Sequence, residues 1–119
     1  ALYNAGFTTD RPDADAIRSG SRSDGPFLTS APALVLWVDM FGVQAGDNLR
    51  FRIKGPDGNL VLERDAPIEK TQARRFVYVG TKRTSSTWAA GTFTGEVIHT
   101  RVVSGRPQEH KIEAMVSVR

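Results

Sequence analysis

The sequence predicts an all-β fold, an antiparallel β-sandwich of immunoglobulin-like or fibronectin-III-like type with about seven strands. Three observations carry this: apolar residues recur with a period of two from Ala33 onward, Gly, Pro and Asp punctuate the short runs, and no stretch reads as a convincing amphipathic helix. A small barrel is the main structural alternative. The 119 residues suit one domain with one core.

The first thirty residues differ from the rest. Asp10 to Ser30 is rich in Asp, Arg, Ser, Gly and Pro and poor in large apolar residues, which predicts an irregular polar lead-in over 1–30 and a sandwich over 31–119. Leu2, Tyr3 and Phe7 can form a first strand. Asp13 can cap a short helix through Ala14, Ala16 and Ile17 that Gly20 ends.

Leu34, Leu36, Val38 and Met40 then alternate with Val35, Trp37, Asp39 and Phe41, apolar on both faces apart from Asp39, so this strand is expected to be central and covered on both sides. Leu49, Phe51 and Ile53 oppose Arg50, Arg52 and Lys54, a half-buried strand with a basic outer face. Gly55-Pro56-Asp57-Gly58-Asn59 suits a turn and predicts a hairpin into Leu60 to Arg64. Arg75 to Lys82 sets Phe76, Tyr78 and Gly80 against Val77, Val79 and Thr81. Phe93 to Val103 and Lys111 to Val118 complete the strands, the last with Ile112, Ala114, Val116 and Val118 on one face. The expected core includes Leu36, Val38, Leu49, Phe51, Ile53, Val77, Val79, Val97 and Val116.

Composition narrows the chemistry. The absence of cysteine excludes a disulfide framework, a thiolate metal site and a Cys nucleophile, while leaving the compartment open. No apolar run reaches the ~20 residues a spanning helix needs, and Ala31 to Val43 is broken by Pro32, Asp39 and Gly42. The chain starts at Ala1 without a basic or apolar leader, which points to a processed chain or, preferably, to a piece excised from a longer one. A formal charge of +3 permits an acidic partner without demanding one.

No catalytic constellation assembles. His99 and His110 sit in no compact metal-ligand spacing and are assigned structural or solvated roles. There is no Gly-x-Ser-x-Gly elbow and no phosphate-binding Gly-x-x-x-x-Gly-Lys-Ser/Thr; Gly20, Gly25, Gly42, Gly46 and Gly55 are turn glycines. Asp10, Asp13, Asp15 and Asp24 match no calcium loop, and the carboxylates are expected to concentrate in the lead-in and turns. The reading is therefore no enzyme, no cofactor and no metal site.

The candidate contact face is cationic: Arg50, Arg52 and Lys54, joined by Arg74, with Arg75, Lys82 and Arg83 nearby, provided that the two strands neighbour each other in one sheet. Phe51 and Phe76 are expected to look inward, so no aromatic side chain is interleaved for base stacking. That weighs against nucleic acid and leaves peptidoglycan or another anionic polymer.

Three stretches together carry a family resemblance. Ala33-Leu34-Val35-Leu36-Trp37-Val38-Asp39 running into Gly46-Asp47-Asn48-Leu49-Arg50-Phe51, then Gly55-Pro56-Asp57-Gly58, then Trp88-Ala89-Ala90-Gly91-Thr92-Phe93-Thr94-Gly95-Glu96 resemble the C-terminal immunoglobulin-like accessory domain of proteobacterial lysostaphin-like (LytM-type) peptidoglycan endopeptidases. The resemblance covers roughly residues 31–119, and its motifs recur in many bacterial immunoglobulin-like modules. It implies a secreted or periplasmic, non-catalytic module of the cell envelope, which packs on, orients or tethers a catalytic domain in cis or another protein partner. The zinc site of those enzymes resembles His-x-x-x-Asp plus His-x-His; this chain has two histidines in neither arrangement, so no catalytic residue carries over. An independent carbohydrate- or polymer-binding sandwich is the alternative. Trp88, entering just before a Gly-bounded strand, is read as closing one end of the core.

Overall fold

A computed structural model describes residues 3–18 and 26–119. The fold is an all-β antiparallel sandwich of immunoglobulin-like, fibronectin-III-like type. In chain order its elements are β1 (Tyr3–Thr8), α1 (Ala14–Arg18), β2 (Ala33–Val43), β3 (Asn48–Lys54), β4 (Leu60–Pro67), β5 (Gln72–Lys82), β6 (Gly91–Val103) and β7 (Arg106–Val118). One sheet has the order β1-β2-β5 and the other β4-β3-β6-β7, every pairing being antiparallel. The β3–β4 and β6–β7 hairpins stay within the larger sheet, whereas β2 hands the chain across to β3 and β4 hands it back to β5.

The alternation seen in the sequence sets which face each strand buries. Leu34, Leu36, Val38 and Met40 of β2 meet Leu49, Phe51 and Ile53 of β3, with Phe93, Val97, Val116 and Val118 from the β6–β7 pair, in one continuous core. Leu49 and Phe51 are fully buried while Arg50 between them is exposed, as a pleated strand with one wet face requires. Val77 and Val79 face that core but are only half-buried, because β5 is an edge strand with no neighbour beyond it. Trp88 closes one end as expected. Its Nε1–H donates to the Ala31 carbonyl at 2.8 Å, and its ring meets Phe93 edge-on at 6.1 Å.

The polar lead-in is more structured than its composition indicates. β1 pairs with β2 from Tyr3↔Met40 to Thr8↔Val35, and Phe7 is buried in the core, so the sandwich begins well before residue 31. Asp13 caps α1, its Oδ1 accepting from the amides of Asp15 and Ala16 at 3.1 and 3.4 Å. Leu2 and Gly20 lie outside the described residues. Phe27 and Ala31 are also buried, and Phe27 forms a parallel bridge to Val118.

The hairpin between β6 and β7 is longer than the sequence reading had it. β7 starts at Arg106, not near Lys111, and pairs with β6 down to Val103↔Arg106. The two-residue turn is Ser104-Gly105, at φ 52° and 76°. Positive φ at both central residues is the twist that a two-residue hairpin needs. The Ser-Gly dipeptide was the available signal for it.

Gly95 shows how tightly the two sheets meet. A Cβ there would lie 2.7 Å from Leu36 Cδ1 and 2.8 Å from Phe7 Cζ, inside a core where both side chains are essentially inaccessible. Gly95→Ala should therefore destabilise by about 1–3 kcal/mol through overpacking. The urea midpoint reads this out, and an unchanged midpoint would show that the core yields at no cost.

Candidate functional site

The four cations singled out from the sequence do not form one face. Arg50, Arg52 and Lys54 project from β3 in the four-stranded sheet, whereas Arg74 projects from β5 in the three-stranded one. The β3 cations are also matched by carboxylates. Arg50 Nε donates to Asp65 at 2.9 Å, Arg52 Nε to Glu63 at 2.6 Å, and Lys54 Nζ to Glu96 at 3.3 Å. Register explains the first two pairs, since Arg50 lies opposite Asp65 and Arg52 opposite Glu63 across the β3–β4 ladder. The Arg50 guanidinium also holds the Asp65 carboxyl below the usual range. The result is a mixed-charge lattice rather than a cationic stripe.

The outer face of the three-stranded sheet has a different chemistry. Trp37 and Asp39 of β2 sit opposite Tyr78 and Phe76 of β5, with Phe41 opposite Arg74 one row on. Phe76 does not look inward. It belongs to the outer face, stacked on Trp37 with ring centroids 5.8 Å apart and planes inclined by 21°. Tyr78 follows at 6.3 Å from Phe76, and the Arg74 guanidinium lies 4.7 Å above the Phe41 ring. Trp37 is only 1% exposed, whereas Phe41 and Tyr78 keep 43% and 41% of their surface in solvent.

Asp39 organises this face. Arg18 of α1 grips it with two hydrogen bonds, Nε to Oδ2 at 3.1 Å and a terminal nitrogen to Oδ1 at 3.0 Å, and Arg74 adds one to Oδ2 at 2.8 Å. Burial pushes the Asp39 carboxyl up, but the hydrogen bonds from Arg18 and Arg74 outweigh it and hold the pKa below its ordinary value. The short helix is thereby tied to the sheet, and Arg74 is oriented over Phe41. The Asp-Arg spacing of 35 residues carries no signal in the sequence; only the β2–β5 register creates it.

A second polar cluster closes one end of the sandwich. Asp47, in the β2–β3 connection, receives Arg101 Nε on Oδ1 at 3.0 Å and an Arg101 terminal nitrogen on Oδ2 at 2.9 Å. The Gln44 amide donates to Oδ2 at 3.0 Å, and His99 Nε2 lies 2.7 Å from the same oxygen. Arg101 also donates to the Gly42 carbonyl at 2.8 Å. Burial raises the Asp47 carboxyl, but the Arg101, Gln44 and His99 hydrogen bonds dominate and lower its pKa to about 2. His99, 3% exposed, is thus held in a structural contact. Asp39 and Glu96, both buried and both on strands, correct the expectation that carboxylates stay in the lead-in and turns, whereas Asp47, also buried, does stand in a connection. No buried side-chain nitrogen or oxygen among the described residues lacks a hydrogen-bond partner. Nor does any group of three His, Cys, Asp or Glu among them gather at metal-binding distance. No helix of the described residues is long and apolar enough to cross a membrane.

The strand order and these surfaces define the class, an immunoglobulin-like β-sandwich with one aromatic–arginine face and one charge-matched face. No family model, curated protein or solved structure matches the chain.

Proposed function

We propose that this chain is a non-catalytic accessory module of a secreted or periplasmic cell-wall hydrolase, and that it docks on its catalytic domain or another protein partner through the outer face of β2 and β5. The observation that carries the reading is the patch of Phe41, Arg74, Phe76 and Tyr78. Aromatic side chains and arginine dominate the energetics of protein interfaces, the rings because they bury much area at little cost in conformational freedom and arginine because its planar fork makes several directed contacts. Here Arg74 is pre-oriented by Asp39 and Phe76 by Trp37, so little further ordering would be needed on docking. The motifs shared with lysostaphin-like accessory domains support the cell-wall assignment. The non-catalytic assignment is supported by the engagement of Asp47 and His99 with each other at the core's edge.

A second reading, a carbohydrate- or polymer-binding module, is favoured by the exposed rings of Phe41 and Tyr78, whose faces could stack on sugars. One experiment separates the two. The Phe41→Ala/Tyr78→Ala double variant should fold normally and lose roughly tenfold or more in affinity for a lysostaphin-like endopeptidase domain supplied in trans, as interface anchors do. Neither protein should sediment with purified sacculi. Sedimentation of the unsubstituted domain, abolished in the double variant, would favour the polymer-binding reading. Zinc bound at one per chain, together with chelator-sensitive lysis of peptidoglycan, would overturn the non-catalytic assignment.

A further inference from the structure

The two sheets are unequal, and the inequality leaves an opening. β1 packs against β7 at one side of the sandwich, whereas β4 and β5 scarcely touch at the other. Three strands facing four therefore leave β4 with no strand opposite it. Ile68 of the β4–β5 connection plugs one end of the gap, beside an open groove of about 510 Å³ lined by Ala66, Glu69, Lys70 and Arg75.

Four properties of this opening point to an occupant. The first is the free edge of β5, which is 11 residues long and in regular register with β2 from Lys82↔Ala33 to Arg74↔Phe41. Apart from its ladder to β2, β5 takes part in no backbone hydrogen bond among the described residues. The second is apolar: Val77 and Val79 of β5, with Leu62 and Ala66 of β4, point toward the core yet remain only half-buried. The third is charge. Arg75 shares the inward parity of Val77, and Arg64 that of Leu62, because they lie opposite the core residues Met40 and Phe51. Both are exposed and form no ion pair among the described residues. The fourth is the identity of the edge. Arg74, Arg75 and Lys82 are typical edge protection, and they repel a second copy approaching through the same strand.

We propose that the β5 edge accepts an extended peptide strand in trans, with apolar side chains at the central inward positions and carboxylates at the flanking ones. The strand completes the smaller sheet as its fourth member. Its backbone meets the open edge of β5, its apolar side chains cover Val77, Val79 and Leu62, and its carboxylates meet Arg64 and Arg75. Backbone hydrogen bonds supply attachment, and the side-chain pockets and charges supply selection, as in other strand-addition complexes. This proposal needs neither the aromatic patch nor a hydrolase partner.

The test uses the capped peptide Glu-Thr-Val-Thr-Val-Thr-Glu, its counterpart with Lys in place of Glu, and an N-methylated Glu peptide that keeps the side chains but lacks backbone donors. Amide hydrogen exchange should show alternate β5 amides slowed by roughly tenfold or more with the Glu peptide alone. The Arg64→Glu/Arg75→Glu variant should reverse the preference toward the Lys peptide by roughly threefold to tenfold, the size expected of two exposed ion pairs. The Phe41→Ala/Tyr78→Ala variant should bind the Glu peptide as the parent does, which separates this site from the docking face. Protection at another edge, equal binding of the N-methylated peptide, indifference to the charge reversal, or β5 protection from self-association without peptide would each overturn the proposal.

Discussion

Replacing Asp47 by Ala is expected to cost about 3–5 kcal/mol, because it leaves the guanidinium of Arg101, the His99 ring and the Gln44 amide at a buried site without their common acceptor. The damage extends beyond one ion pair. The Asp47 backbone accepts from the Ile68 amide at 2.8 Å, and Gly46 donates to the Ile68 carbonyl at 2.9 Å. The carboxylate therefore holds the β2–β3 connection where it pins the β4–β5 connection. Thermal melting should show a fall on the order of 10 °C for a domain of this size. Asp47→Asn preserves shape and removes the charge, so an intermediate loss is expected.

The same residue sets part of the acid limit. Its folded pKa of about 2 lies below the ordinary value of 3.8, so its contribution is fully present above pH 4 and disappears as pH falls through about 2. Urea unfolding at pH 7, 4 and 2.5 should show stability declining over the lower interval, and declining less in Asp47→Asn. Asp39, also lowered by its two arginines, supplies acid sensitivity of the same sign. Equal pH dependence in the parent and the Asn variant would show that Asp47 is not a source of it.

Phe7→Ala is the second large effect, about 3–5 kcal/mol for an aromatic ring removed from a full core. It decides whether the N-terminal segment is a lead-in or part of the sandwich. Phe7 is 1% exposed, opposite Leu36 in the β1–β2 ladder and over Gly95. A loss under about 1 kcal/mol, the size usual for surface positions, would mean that β1 is dispensable. The cycle with Gly95→Ala adds a signature. With the Phe7 ring gone, part of the clash at Gly95 disappears, so the two costs should sum to more than that of the double variant.

Much of the strand content was legible because a pleated strand writes its two faces into alternate residues. Leu49-Arg50-Phe51-Arg52-Ile53-Lys54 is the plainest case, and its inward and outward sides are as the pattern implies. β1 was less legible, since a six-residue strand with Gly and Asn carries too few apolar positions to stand out from a polar segment. Phe76 and Phe51 look alike as aromatic strand residues. Periodicity separates two faces of one strand, but it does not say which face meets the other sheet when both carry large side chains.

The interaction surfaces were legible in composition only. That the chain holds cations on β3 and β5 follows from its residues; that those of β3 are matched by β4 and β6, and that Arg74 stands on the other sheet, follows from strand order and register. The Asp47–His99 and Asp47–Arg101 contacts span 52 and 54 residues, and Arg18–Asp39 spans 21. Alternation is a local property, set by the backbone at each strand, so the sequence by itself determined an all-β chain with defined wet and dry faces. Pairing between distant strands depends on how all seven pack at once. The tertiary structure alone therefore decided which charges neutralise one another, which rings reach the surface, and which strands stand at the sheet edges.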